Sequence, residues 1–507
     1  MTKFFRILII LSIIYPLIVT LHSILSGALP FGYDPARDLL SAQANLKKLT
    51  LIGPPGGIPG IFYGPYWIWL LSVGLIFSRD PRFIAILVLV IPYFILFTCL
   101  LLKLSKVIGK RNCILLWLLF FFSYPDYIND LWHPHLAPIF LLGEAYFLVD
   151  TDYAKSDRKN FIRILVAGML CGLVVNFHLS FGSAFLLGSV AYLLFDFIIS
   201  ILSNHPKWKF LVLNRLIIST VFLSGIFLVF LPSLIFEFRH GFHQVQSAVK
   251  AVTDSVIYNT SSVGQIGLNK TQILSKFFGF PSYILKISNS FVIILFLAAV
   301  VYIVYKIYRK SFQLVEAEKK LLIFLISTSF IILLVYLTSR NPIWSYHFIG
   351  MEVIALLFIG LVVGKIPIFS WLLTFWVGIL FLFNINDTFI KSQGINPYSV
   401  SSLTTKKYIV EKVYQDARGE PFSVFAYSPA IYTYDYDYLF SWVGDEIYHQ
   451  RPENDQSRAG FVYLIIPKTS KEQLEDFINY RTPPKQFKTI DTWEIADGTI
   501  VVKREKI

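Results

Sequence analysis

The chain has 507 residues, of which 55% are hydrophobic and only 15% charged, and its mean hydropathy is +0.61. A soluble protein carries roughly 25% charged residues, so most of this chain is expected to be solvated by lipid. The net charge of +13 needs no nucleic-acid partner, because membrane proteins concentrate Lys and Arg in cytoplasmic loops. The three cysteines show neither disulfide nor metal-binding spacing.

The N-terminus carries Lys3 and Arg6 before an apolar run that is too long for the hydrophobic region of a cleaved signal. We therefore expect an uncleaved signal anchor. About eleven apolar stretches along the chain predict transmembrane helices. They cover residues 5–25, 83–105, 112–124, 134–150, 161–177, 179–201, 214–233, 287–308, 320–338, 345–363 and 366–385.

The apolar segment 65–77 is short and contains Trp and Tyr, which favours a helix lying at the membrane interface. If it does not cross, the strongly basic short loops all lie on the side of the N-terminus, which the positive-inside rule assigns to the cytoplasm. These basic loops are residues 103–111, 155–159, 207–209 and 306–320. The first loop outside the membrane is then 26–82.

Residues 386–507 have the composition of a soluble domain, whereas residues 1–385 form the predicted bundle. We predict that they form a small α/β domain on the outer face. Its predicted elements are helices Thr404–Arg418 and Ser470–Tyr480 and strands Phe422–Tyr427, Gly460–Ile466 and two within Thr492–Lys503. The predicted fold class is an all-α polytopic membrane bundle with this extracytoplasmic domain. Walker loops and dinucleotide fingerprints are absent from the sequence, so no nucleotide cofactor is expected.

The first outer loop holds Asp34, Arg37 and Asp38 within five residues, followed by a segment rich in Gly and Pro. Asp34 before Pro35 suits the N-cap and first position of a helix. A cap needs only one acid, however, and carboxylates at i and i+4 share a helix face. The pair therefore also favours a catalytic role.

Further polar residues are expected at the outer ends of other spans. Arg239, His240 and Arg340 could hold a phosphate, because guanidinium binds phosphate bidentately. An anchor at the membrane interface is the alternative for these cations, and it stays open. The remaining outer residues are predicted to line a cavity rather than bind a metal. They are Tyr63, His133, His135, His178, Glu237, Tyr346 and His347.

Several short motifs resemble those of the GT-C glycosyltransferases, in the branch of protein O-mannosyltransferases and lipid A aminoarabinose transferases. The matching segments are Tyr33–Leu39, Gly53–Pro55, Phe62–Pro65, Trp132–His135, Phe177–His178 and Phe236–His240. The resemblance implies a polyprenyl-phosphate sugar donor, inversion at the anomeric carbon and an essential acid at Asp34. Many members carry an adjacent acidic pair where this chain has Pro35, so the role of Asp38 and a divalent metal stay open.

The resemblance therefore implies a multi-pass enzyme of the cytoplasmic membrane, an inverting hexosyl or pentosyl transferase. Its acceptor is a cell-envelope glycan, lipid or protein, with Asp34 as general base and Asp38 orienting either that base or the acceptor. Arg37, Arg239, His240 and Arg340 are the expected phosphate-binding residues. The alternatives are a lipid or polysaccharide transporter, a glycan polymerase or ligase, and a non-catalytic assembly factor. A transporter predicts charges near mid-span, where this sequence offers only Glu144, Asp196 and Glu352.

Overall fold

A computed structural model describes most of the chain. The described residues are 3–123, 126–153, 155, 157–202, 208–253, 267–309, 313–339, 341–394, 402–428, 432–454, 460–495 and 497–507. The bundle helices are α1 Lys3–Leu25, α2 Tyr33–Lys47, α3 Tyr66–Phe77, α4 Pro81–Lys103, α5 Lys110–Ser123, α6 Ala137–Asp150, α7 Arg158–Phe177, α8 Leu179–Leu202, α9 Trp208–Arg239, α10 His243–Thr253, α11 Lys270–Leu285, α12 Asn289–Tyr308, α13 Glu316–Thr338, α14 Met351–Lys365 and α15 Pro367–Gly394. Short helical turns cover Ser105–Ile108, Asp126–Asn129, His133–Leu136 and Ser345–Phe348.

The bundle is polytopic, as predicted. Within the described residues, seven helices are long and apolar enough to cross a membrane, or eight if the bent pair α11–α12 counts as one span. Both α5 and α6 have 14 residues, fewer than the roughly 20 that a crossing helix needs. The predicted count of eleven spans is therefore not confirmed.

Helix α3 is too short to cross a membrane, which takes roughly 20 residues. It contains 12 residues, and its Trp67, Ile68 and Leu71 are buried while Ile76 and Phe77 are exposed. Its buried side packs against α2, which lies earlier in the same outer loop. The contact matters because it brings the indole of Trp67 to the acidic start of α2.

Glycines let the central helices approach closely, as is common where lipid supplies no hydrophobic driving force. A Cβ at Gly168 of α7 would lie 2.0 Å from the carbonyl oxygen of Phe222 in α9. One at Gly225 of α9 would lie 2.3 Å from the carbonyl oxygen of Leu165. A side chain at either position would push α7 and α9 apart.

The C-terminal domain contains the predicted mixture of helices and strands. Its helices are α16 Leu403–Ala417, α17 Tyr434–Val443 and α18 Lys471–Arg481, and its strands are β1 Phe422–Ala426, β2 Phe461–Ile466, β3 Phe487–Glu494 and β4 Ile500–Lys506. The sheet order is β1-β2-β4-β3, with β1 and β2 parallel and the other neighbours antiparallel. The sequence did not predict α17, which packs against α2.

The C-terminal domain is fixed to the start of the first outer loop. The backbone N–H groups of Leu403 and Thr404 donate to the carbonyls of Leu29 and Gly27 at 2.9 and 3.2 Å. Gly27 has a φ of +74°, and a Cβ there would lie 2.0 Å from the Thr404 hydroxyl oxygen. Only glycine fits this junction, which holds the domain beside α2.

Candidate functional site

Helix α2 begins at Tyr33, two residues earlier than an Asp34 cap requires. Gly32 is the N-cap, and its carbonyl accepts the N–H of Ala36 at 3.3 Å. The expectation that Asp34 caps the helix is therefore corrected, because this carboxylate lies inside the first turn and makes no capping hydrogen bond. Its oxygens remain available to side chains and to solvent.

One guanidinium holds both carboxylates of the pair. Arg37 Nη1 lies 2.7 Å from Asp34 Oδ1, and its Nη2 lies 2.7 Å from Asp38 Oδ1. The Nε of Arg37 donates to the same Asp38 oxygen at 2.8 Å. A charge-assisted contact of this kind fixes the orientation of both partners.

Asp38 is the anchored member of the pair. Its side chain is buried, and its second oxygen accepts the indole N–H of Trp67 at 2.9 Å. Burial raises the pKa of Asp38 to about 7, while the contact with Arg37 lowers it. Because both of its oxygens are bonded, Asp38 is arranged to position Arg37 rather than to accept a proton from a substrate.

Asp34 is the open member of the pair. Its side chain is 45% exposed, whereas that of Arg37 is 14% exposed. No hydrogen bond from the described residues reaches its Oδ2 atom, so Arg37 holds one oxygen and the other has no partner among those residues. This is the geometry of an oriented base with a free lone pair.

The Gly- and Pro-rich loop folds back on itself and presents Tyr63. Gly53 N–H donates to the carbonyl of Tyr63 at 2.7 Å, and Tyr63 N–H donates to the carbonyl of Pro54 at 2.9 Å. A Cβ at Gly53 would lie 2.1 Å from the carbonyl oxygen of Gly64, so a side chain is excluded there. The ring of Tyr63 lies 4.2 Å from that of His133, and burial raises the pKa of its phenol.

Two buried histidines are neutral at pH 7, so each has one ring nitrogen that donates a hydrogen bond and one that can accept. His133 Nδ1–H donates to the carbonyl of Phe177 at 2.7 Å, and His178 Nε2–H donates to the carbonyl of Tyr346 at 2.9 Å. A carbonyl can only accept, which assigns these tautomers. Burial lowers the pKa of each ring to about 3, so the other ring nitrogens carry lone pairs. His178 Nδ1 is buried and meets no donor in the described part of the chain.

The two remaining histidines of the predicted cavity lie in the same neighbourhood. His135 Nδ1 donates to the carbonyl of Asp130 at 3.0 Å, and the ring of His347 lies 6.4 Å from that of His178. The ring of Trp132 lies 5.5 Å from those of both His135 and Tyr346, and the ring of Tyr346 lies 4.4 Å from that of His347. Across the described residues, no group of three His, Cys, Asp or Glu side chains is placed to share a metal ion.

Glu237 has a clear structural contact. Its buried carboxylate accepts the backbone N–H groups of Gln244 at 3.1 Å and Val245 at 3.2 Å, which caps the N-terminus of α10. Gln244 in turn accepts the N–H of Phe62 through its side-chain oxygen at 2.8 Å. Glu237 therefore supports, through α10, the loop that carries Tyr63.

The predicted phosphate-binding cations are only partly described. Arg239 is exposed at the end of α9. His240 is exposed, donates from Nδ1 to the carbonyl of Phe236 at 2.8 Å and stacks on that ring at 4.0 Å. Arg340 lies outside the described residues. Phosphate binding by Arg37, Arg239, His240 and Arg340 stays a prediction.

Two residues near the site were missed from the sequence. Trp67 was assigned to an interfacial segment, and nothing in its neighbourhood linked it to Asp38. Lys276 of α11 is half-buried with its Nζ 6.0 Å from the ring centroid of Phe348, and no described carboxylate lies within ion-pair distance of it. A lysine in a long outer loop carries no sequence signal of that placement.

Comparison with solved structures identifies the fold. No family model and no curated protein matches the sequence. ArnT from Cupriavidus metallidurans bound to undecaprenyl phosphate matches with a TM-score of 0.55 and 11% identity, covering 97% of both chains. Its apo structure matches with a TM-score of 0.52, 11% identity and the same coverage.

A weaker match is the archaeal oligosaccharyltransferase AglB from Archaeoglobus fulgidus, in complex with an inhibitory peptide and a dolichol-phosphate. Its TM-score is 0.46 at 12% identity, covering 99% of this chain and 74% of AglB. At 11% identity, the two ArnT structures indicate the fold and not the activity. The chain has the fold of the ArnT structures, which agrees with the fold that the resemblance to GT-C glycosyltransferases implies.

Proposed function

We propose that the chain is a membrane glycosyltransferase that moves a sugar from a polyprenyl-phosphate donor to an acceptor hydroxyl of the cell envelope. The observation that carries the proposal is the division of roles within the Asp34–Arg37–Asp38 cluster. One carboxylate is buried and fully bonded, and the other is oriented by the shared guanidinium with a free oxygen. The ArnT fold, described with undecaprenyl phosphate bound, supports the choice of donor class.

The transfer step uses Asp34 as general base. An acceptor hydroxyl approaches Oδ2, and its proton passes to that oxygen as the hydroxyl oxygen bonds to the anomeric carbon. The bond from that carbon to the phosphate oxygen breaks, and polyprenyl phosphate leaves with the electron pair. Arg37 holds Asp34 in one orientation through its contact with Oδ1. Attack opposite the leaving phosphate gives the inversion that the resemblance implies.

Negative charge grows on the leaving phosphate, and preplaced cations lower that barrier. Arg239 and Arg340 are the proposed arginine contacts, since guanidinium matches the phosphate oxygens in a bidentate fashion. Lys276 is a further candidate, because its ammonium is half-buried without a described acidic partner. We expect the lipid tail to lie between bundle helices that present apolar side chains to the membrane.

The neutral imidazoles suit the sugar rather than the phosphate. At pH 7 His133 Nε2 and His178 Nδ1 carry lone pairs that can accept hydrogen bonds from sugar hydroxyls. An uncharged ring gives a phosphate no electrostatic attraction. We therefore place the donor sugar near Tyr63, His133 and His178 and the phosphate near the cations.

A divalent metal does not fit the carboxylate pair as it stands. Arg37 donates to Oδ1 of both Asp34 and Asp38, and Trp67 occupies Oδ2 of Asp38. An ion shared by the two carboxylates would have to displace a guanidinium that is already bonded to both. No step proposed here passes through a metal.

The test follows the consumption of polyprenyl-phosphate-linked and diphosphate-linked sugars by mass spectrometry, with an envelope extract as acceptor. We expect the purified protein to consume a monophosphate-linked donor and release polyprenyl phosphate. Asp34→Asn should slow this by about 10²–10⁴-fold, the usual contribution of a general base. Asp80→Asn is the matched control, because Asp80 accepts the N–H of Arg82 at 2.9 Å as a helix cap and Asn caps equally well.

Other outcomes select other functions. If a diphosphate-linked donor alone is consumed, the polymerase or ligase interpretation replaces this one. If neither the wild-type protein nor Asp34→Asn consumes a donor while lipid co-purifies, a transporter or an assembly factor is favoured. If Asp34→Asn and Asp80→Asn have equal small effects, Asp34 has only a structural role.

A further inference from the structure

A row of three tyrosine rings leads from the C-terminal domain to the proposed base. The rings of Tyr432 and Tyr434 are 5.3 Å apart and nearly parallel, with 1° between their planes. Tyr434 lies 5.0 Å from Tyr33, the first residue of α2, and Arg37 lies 5.5 Å from the Tyr33 ring centroid. The row therefore ends beside Asp34.

The rings of the row are accessible to solvent although two neighbours in the same segment are buried. Tyr432 is 56% exposed and Tyr33 is 36% exposed, whereas Tyr436 and Tyr438 lie in the core. Burying an aromatic ring stabilises a fold, so a row in which Tyr432 and Tyr33 stay exposed and Tyr434 is only half-buried is a feature that folding alone does not explain. Such a surface is typical of a binding site.

Helix α17, which begins at Tyr434, is attached to the first outer loop. Tyr438 donates its hydroxyl proton to the carbonyl of Arg79 at 2.5 Å, and its ring packs on Phe31 at 5.7 Å. Lys406 pairs with Asp435 and donates to the carbonyl of Phe31 at 2.8 Å. These contacts join α17 to the first outer loop, so the helix that carries Tyr434 is fixed beside Tyr33.

We propose that the tyrosine row of Tyr33, Tyr434 and Tyr432 binds a saccharide chain, so that the acceptor is a glycan and its hydroxyl end reaches Asp34. This inference rests on the proposed function. One face of a sugar ring carries C–H groups that pack on an aromatic ring, while its rim carries hydroxyl groups that need polar partners. Asp437, three residues after Tyr434 and therefore on the same helix face, supplies an exposed carboxylate for such hydroxyls.

A glycan fits this row better than the other two acceptor classes. A lipid tail would meet ring hydroxyls and the charged groups Asp34, Arg37 and Asp437 along its length, which apolar chains avoid. A peptide in extended conformation needs backbone partners, and the row presents rings in place of a free strand edge. Three rings in sequence instead offer a stacking surface to consecutive sugars, much as aromatic rings serve stacked bases.

The test is binding of the purified full-length protein, in detergent, to an array of bacterial envelope glycans with peptide and lipid spots alongside. We expect the wild-type protein to bind glycan spots, and Tyr434→Ala and Tyr432→Ala to weaken binding about tenfold, the effect of removing one aromatic anchor. Tyr434→Phe keeps the ring face and should keep most of the affinity. Tyr480→Ala removes a 79% exposed tyrosine of α18 and should leave binding unchanged.

The array separates this inference from the proposed function. Asp34→Asn should keep glycan binding while losing donor consumption, because the row does not depend on the base. If donor is consumed but the tyrosine variants bind glycans as the wild type does, the row is not the acceptor site and the transferase stands. Binding confined to peptide or lipid spots also overturns the inference. If glycans bind through the row and no donor is consumed, the proposed transferase function is wrong and the saccharide-binding site is supported.

Discussion

The hydrogen bond from Trp67 to Asp38 gives the sharpest test of how the site is held. Trp67→Phe keeps a flat aromatic ring in the contact between α3 and α2 but removes the N–H that donates to Asp38 Oδ2 at 2.9 Å. The carboxylate is fully buried, so water cannot easily replace the lost donor. Asp38 should then hold Arg37 less firmly, and Arg37 in turn should orient Asp34 less well.

The size of the effect follows from the charge on the acceptor, which Asp38 carries fully only above its pKa of about 7, so turnover is compared at pH 8 or above. A hydrogen bond to a charged group contributes about 1.5–3 kcal/mol, against about 0.5–1.5 kcal/mol for a bond between neutral groups. Trp69→Phe on the same helix is the matched control, because its indole N–H donates to the neutral carbonyl of Thr50 at 2.9 Å. We expect Trp67→Phe to lower the turnover number roughly tenfold or more and Trp69→Phe to change it less than threefold, given 1.4 kcal/mol per factor of ten.

Both variants are compared by donor consumption at saturating and limiting donor and by thermal unfolding in detergent. A positioning role predicts that Trp67→Phe lowers kcat with little change in KM for the donor, since Trp67 contacts only the anchor of the base. Equal losses of stability in the two variants, with equal turnover, would refute the reasoning. An increase in KM with unchanged kcat would instead indicate that Trp67 contacts the substrate.

Two further predictions concern the surroundings of the base. Burial lowers the pKa of His133 and His178 from 6.5 to about 3. Below about pH 6.5 these histidines are protonated in the unfolded chain but not in the folded chain, so the free energy of unfolding decreases as the pH falls. His178→Asn should therefore reduce the pH slope of the unfolding free energy between pH 6 and 5 by about 1.4 kcal/mol per unit, measured by denaturation in detergent, and an unchanged slope contradicts this. Glu237→Gln should weaken the α10 cap by about 1 kcal/mol in the same experiment and leave kcat within a few-fold, whereas lost turnover at normal stability would place Glu237 in the substrate cavity.

Much of the fold follows from local sequence patterns. Long apolar runs are visible without any tertiary information, and the described helices α7, α8 and α13 lie where such runs predict them. The helix α16 and strand β2 of the C-terminal domain were likewise predicted within a few residues. Helix α17 was missed because Tyr432 to Tyr438 alternate with polar residues at a period of two, which is atypical of a helix.

The site was only partly predictable, since its acids are adjacent in sequence and its supports are not. Asp34, Arg37 and Asp38 share one helical turn, so their proximity follows from the spacing. The donor to Asp38 comes from Trp67, 29 positions away, and depends on how α3 packs against α2. The sequence also shows no difference between the two acids. Burial makes that difference, because one is fully enclosed and the other remains half exposed.

The charges of the cluster bear on where the two substrates must bind. One guanidinium is shared by two carboxylates, so the cluster offers a phosphate no uncompensated positive charge. The leaving phosphate therefore needs cations supplied by other elements, and Arg239 of α9 and Lys276 of α11 come from outside the first loop. An in-line displacement with inversion requires the attacking hydroxyl and the leaving phosphate to lie on opposite sides of the sugar. The proposed stereochemistry therefore predicts that Arg239 and Lys276 contact the phosphate across the sugar from Asp34.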